Sequence, residues 1–263
     1  MQGLLRCSRY GLAPNKLKYC GPDKNKELEG YLKTKTTDWG LERILKEFKA
    51  MQPYLKLIAR ENGIADEFDE RVVEAYWLGN ELLDKVSLKG FFDHALGKLD
   101  RKSLKWFEVK LGRGAKPNHS FHVFNFWKRT GYVARLHTIE TMDNCRISCG
   151  KVIRPMLGNT KFLRAHSYLT ESDETLRAQK SVFAIAGRNS HSLLVNTDRL
   201  VYKNGKLGFE PAVKEISFLE GKYHPEELVT FHWNMVCEKI NKTQKENLDK
   251  YTRLALNLAN LTV

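Results

Sequence analysis

No stretch of this 263-residue chain approaches the roughly 18 consecutive apolar residues that a membrane span requires. The opening MQGLLRCSRYGLAP also lacks an apolar core of signal-peptide length. Together these absences lead us to expect a soluble, cytoplasmic protein with no membrane partner. Repeats, low-complexity tracts and Pro/Gly-rich linkers are missing, so nothing in the composition cuts the chain into separate domains. Several signatures of chemistry are missing too. There is no GxGxxG after a strand, no Walker loop, no HExxH and no GxSxG, which leaves nucleotide-binding, zincin and serine-hydrolase readings without a motif. No C-x2-C knuckle occurs. Blocks of five adjacent basic residues are absent as well, although 44 Lys plus Arg against 31 Asp plus Glu give a net charge of +13. That excess suits a polyanion such as RNA, but its spread suits solvated helix faces equally.

What is present is enough to build a core: 42% of residues are hydrophobic and 11% aromatic, well above the level of disordered chains. Up to about residue 115 the apolar spacing is helical. Pro22 is placed to open the helix DKNKELEGYLKT, and Asp38 to cap a helix with Leu41, Ile44, Leu45 and Phe48 on one face. Pro53 suits the first turn of PYLKLIAREN, with Gly63 at its stop. After LGRGAKPN the period changes to two. HSFHVFNFW, GYVARLHTIE, KFLRAHSYLT, QKSVFAIA and SLLVNT are rich in aromatic and β-branched residues and read as strands. Asn204-Gly205 lies between alternating runs, a hairpin signal. A last helix begins near Thr243, with Leu248, Tyr251, Ala255 and Leu258 on one stripe. The expectation is an α+β protein: a helical subdomain over residues 1–115 and a largely antiparallel β-rich subdomain over residues 116–263, closed by a C-terminal helix and sharing one core.

Five cysteines, an odd number in a reducing compartment, read as free thiols or ligands. Cysteine and histidine concentrate in four stretches: YCGP at Cys20, HSFH at His119 and His122, DNCRISC at Cys145 and Cys149, and FHWNMVC at His232 and Cys237. Cys20, at the mouth of an expected helix, would have its thiolate stabilised by the helix dipole. Its CGP resembles the nucleophile segment of papain-like bacteriocin-processing peptidases and some transglutaminase-like proteins. In that reading Asn15 takes the oxyanion-donor role, His119 or His122 is the base, and Asp143 or Asn144 orients it. The other reading is a metal site drawn from Cys20, His119, His122, Cys145, His232 and Cys237, whose soft and imidazole donors suit zinc, iron or nickel. Cys145 and Cys149, four apart, would share one face of a strand, and His232 and Cys237 would straddle a strand-to-helix junction. Unrelated buried thiols are the third alternative.

Taken together, YCGP, GIADEFDERVVEAYWLGN, HSFHVF, DNCRISCG and FHWNMVC resemble a family of uncharacterised prokaryotic proteins, some associated with nickel-iron hydrogenase gene clusters. The resemblance covers most of the chain. It implies an accessory or maturation protein whose partner is a metalloenzyme subunit. Cys149 stands where the family pattern calls for an aromatic residue, and Cys7 lies outside the motifs, so neither belongs to a shared site. Whether the chain is an enzyme is left open. The competing functions are metal-dependent accessory protein, thiol enzyme acting on an amide or acyl bond, and RNA-binding protein.

Overall fold

The computed structural model describes residues 2–127, 137–156 and 192–262. Eight helices come first: α1 (Gln2–Lys16), α2 (Asn25–Thr34), α3 (Trp39–Lys46), α4 (Gln52–Glu61), α5 (Glu70–Trp77), α6 (Leu82–Lys85), α7 (Leu88–Ala95) and α8 (Arg101–Gly112). A short α9 (His119–Phe121) runs directly into a π-helical turn, His122–Phe126, and α10 (Ile139–Cys145) follows. Then come strands β1 (Ser148–Met156), β2 (Ser192–Lys203), β3 (Lys206–Ser217), β4 (Leu228–His232) and β5 (Met235–Lys239), and a final helix α11 (Lys242–Ala259). The α+β class, with helices in front, a mostly antiparallel sheet behind and a helix at the end, is as the sequence pattern requires.

Local side-chain chemistry explains many of the boundaries. The Asp38 carboxylate accepts from the Leu41 amide and starts α3, and Asp69 does the same for α5 through Arg71. Asn241 and Gln244 form a reciprocal capping box at the start of α11. Asn204 and Gly205, at φ 52° and 74°, make the two-residue turn between β2 and β3.

The strands close into a barrel in the order β1-β2-β3-β5-β4. All pairings are antiparallel except β3 with β5, a parallel contact made at Ser217 and Met235 alone. Val152, Leu193, Val195, Ile216, Val229, Phe231 and Val236 fill its interior. A second, larger core runs from Cys7 on α1 to Ala259 on α11. Helix α1 lies against β4 and β5 as well as α2, α3 and α5. There the buried Arg6 bridges Glu74 of α5 and Glu238 of β5 at 2.7 and 2.8 Å.

Four expectations are corrected. HSFHVFNFW is helical: Asn118 caps the turn by accepting from Phe121 N, and residues on every side of it are buried. A segment covered all round loses the one-sided period that marks a helix, and its aromatic content then mimics a strand. Pro22 does not open a helix, because α2 begins at Asn25 and residues 17–24 form a loop. Cys145 ends α10 while Cys149 lies on β1, so they do not share a strand face. His232 and Cys237 flank a β-hairpin turn and not a strand-to-helix junction. Of GYVARLHTIE, residues 139–140 belong to α10 and 131–136 lie outside the described residues, as do KFLRAHSYLT and QKSVFAIA.

Candidate metal centre

Three of the expected donors meet. His119 is the first residue of α9, Cys145 the last of α10 and His232 the last of β4, and their ligand atoms all lie within 4.8 Å of one another. The imidazole rings stand edge to face with centroids 5.1 Å apart. Each element is fixed where it delivers its donor. The Asn118 cap sets the start of α9. The β4–β5 turn places Trp233 and Asn234 at φ 51° and 56°, and the Trp233 amide donates to Asn144 O at 2.8 Å, which pins the hairpin tip to the end of α10. A tryptophan in the left-handed region is costly, and such strain persists where surrounding structure imposes it.

The hydrogen bonds define the chemistry. His232 Nδ1 lies 2.7 Å from the Tyr10 carbonyl, which can only accept, so Nδ1 carries the proton and Nε2 the lone pair. Nε2 is buried, has no hydrogen-bond partner, and lies toward the Cys145 backbone. His119 Nε2 is 2.8 Å from the Cys145 carbonyl and Nδ1 is 3.2 Å from Tyr76 Oη. Burial pulls His119 down to about 4, partly offset by the Cys145 carbonyl. Burial, reinforced by His119, pulls His232 down to about 3. Both rings are therefore neutral at pH 7, as ligation requires. Burial pushes the Cys145 thiol well up, the nearby Cys20 adds to this, and the Trp233 indole N–H opposes it. That N–H is buried without a hydrogen-bond partner. Trp77 walls the site, with its ring centroid 4.7 Å from His119 and 5.8 Å from His232.

The remaining expected residues are placed as follows. His122 sits beside His119, its Nδ1 3.4 Å from Tyr54 Oη. Cys20 lies in the α1–α2 loop, outside the 4.8 Å group. Asn15 donates one amide proton to Cys20 O at 2.9 Å and the other to Pro22 O. Asp143 is held by Arg146, Lys214 and the Leu200 amide. The buried Cys237 points its thiol at Met235 O and lines a separate cavity of about 390 Å³. Cys149 faces a groove of about 580 Å³ between the barrel and α11. Tyr10, Tyr76, Trp77 and Trp233, which surround the trio, were not singled out from sequence. The only local hint was that YW and HW fall inside two of the quoted motifs.

The arrangement is a buried His/Cys/His group that could hold a metal ion. A family of unknown function, DUF6390, matches over residues 1–188 and 181–263, and the chain belongs to it. No curated protein and no solved structure matches the chain. Among the described residues no helix is long and apolar enough to cross a membrane.

Proposed function

We propose that this chain is a transition-metal-binding protein whose ion is held by His119 Nε2, Cys145 Sγ and His232 Nε2, with zinc the first choice and iron or nickel the alternatives. The observation that carries the reading is the His232 imidazole. It is 2% exposed, donates through Nδ1 to a backbone carbonyl, and leaves Nε2 unpartnered among two other donors. A metal-bound histidine is oriented in this way, and an orphaned buried nitrogen otherwise costs about 1–3 kcal/mol. Ligation by His119 asks for a tautomer change, Nδ1–H donating to Tyr76 Oη while Nε2 exchanges the Cys145 carbonyl for the ion. Two imidazoles and a thiolate suit zinc well. The motif resemblance supports placing this centre in an accessory protein for metalloenzyme assembly, with a nickel-iron hydrogenase subunit as the candidate partner.

The thiol-enzyme reading has less support. Burial pushes the Cys20 thiol up to about 11, against a modest opposing effect of the Gly21 N–H, whereas a nucleophile needs a depressed value. Both Asn15 amide protons go to carbonyls, leaving none for an oxyanion. RNA binding gains nothing from lysines such as Lys33, Lys46, Lys89 and Lys245, each paired with a carboxylate one helical turn away.

Metal analysis of protein purified without a histidine tag tests the proposal. About one ion per chain is expected, lost in His232→Ala and Cys145→Ser and retained in Cys7→Ser, since Cys7 lies outside the centre. A wild-type protein that carries no metal and takes up none of zinc, iron or nickel on titration would overturn it.

A further inference from the structure

Three donors leave a zinc ion one short of the tetrahedral set that structural sites use. The α1–α2 loop brings a fourth to the same place. Tyr19 packs its ring on Trp233 with centroids 4.1 Å apart, and Trp233 follows His232 directly and donates its amide to Asn144 O, next to Cys145. The next residue in the loop is Cys20. It is half-buried and packs against the same helical core as Cys145.

The loop is built to hold this residue. Asn15 of α1 bridges the carbonyls on both sides of Gly21 by donating to Cys20 O and Pro22 O. Gly21 adopts φ +83°, and a Cβ there would come within 2.5 Å of the Phe48 ring. Only glycine allows this approach, which fixes the course of the backbone beside Cys20. The Tyr19–Trp233 contact thus holds Cys20 beside the hairpin that presents His232.

We propose that Cys20 is the fourth ligand of the centre, completing a closed His2Cys2 site with His119, Cys145 and His232. This rests on the three-residue reading above. The Cys20 side chain must turn inward to join the group, since its sulfur stands outside the 4.8 Å set. On binding, each thiol passes its proton to solvent as its sulfur–metal bond forms, and each neutral imidazole donates its lone pair. The ion then has no open position for substrate, which makes it a fastener of the α1–α2 loop to α9, α10 and the β4–β5 hairpin.

X-ray absorption on the zinc-loaded full chain tests this by counting scatterers. The expected result is two sulfurs at about 2.3 Å and two nitrogens at about 2.0–2.1 Å. Cys20→Ser should leave one sulfur and lower zinc affinity at least tenfold, while Cys237→Ser should leave two. One sulfur in the wild type, or two that survive Cys20→Ser, would overturn the fourth ligand and leave the three-residue centre standing. Failure of the wild type to bind zinc, iron or nickel would overturn both.

Discussion

Asp143 shows how a residue with the right chemistry for a site can be fully occupied elsewhere. One carboxylate oxygen accepts from Arg146 at 2.9 Å and from the Leu200 amide at 2.8 Å, and the other accepts from Lys214 at 2.6 Å. Burial pushes this carboxyl up, but Arg146 and Lys214 outweigh it and hold the group below the ordinary carboxylate range. It is therefore ionised at neutral pH, tying the end of α10 to β2 and β3. Asp143→Ala leaves a buried guanidinium facing no partner carboxylate, so urea unfolding should show a loss of about 3–5 kcal/mol, nearer the lower figure because Lys214 reaches solvent. A loss below about 1 kcal/mol would show that the cluster contributes little. Its position after His119 and His122, in the order a papain-like triad would need, made it attractive on paper. Nothing in the sequence announced Lys214, seventy-one residues away, as its partner.

At the scale of elements, the signals that could be read were the local ones. Asp38 and the Asn204-Gly205 turn each act through bonds to residues about three positions off, so the sequence carried them openly. The α9–π turn could not be read in that way. Phe121, Val123, Phe124 and Phe126 are all buried, and burial on every side erases the period on which helix and strand are told apart. Asn118 stands directly before the segment, but it takes on meaning as a cap only once the segment is known to be helical. Because His119 is the first residue after this cap, the cap serves the centre as well as the helix. Asn118→Ala should cost about 1 kcal/mol by urea denaturation and should also weaken zinc binding, with Asn118→Asp restoring both. Unchanged zinc affinity in the alanine variant would separate the cap from the centre.

For the whole molecule, the four Cys/His stretches were legible as candidates, but their convergence was not. His119, Cys145 and His232 meet only because a closed barrel returns β4 to the end of α10, and barrel closure rests on pairings between distant strands. The resulting burial has a consequence for acid stability. His119, His122 and His232 are held neutral, lowered chiefly by burial to about 4, 3 and 3. An unfolded chain binds these protons near pH 6.5 while the native one does not, so stability is complete above that pH and falls as pH drops toward 4. Each histidine contributes about 1.4 kcal/mol per pH unit through that window. Urea midpoints of the metal-free protein at pH 7, 6 and 5 should decline accordingly. A flat profile would mean that the rings are protonated in the fold.

The barrel is closed along β3 and β5 by a seam one bridge wide, where the Ser217 amide donates to Asn234 O at 2.9 Å. Asn234 belongs to the same turn that presents His232. A seam that parts therefore loosens the hairpin and lets go of a ligand in one motion, while an ion held by His232 resists the parting. If His232 holds an ion, occupancy and closure become two readings of a single equilibrium, and metal loading should tighten the seam.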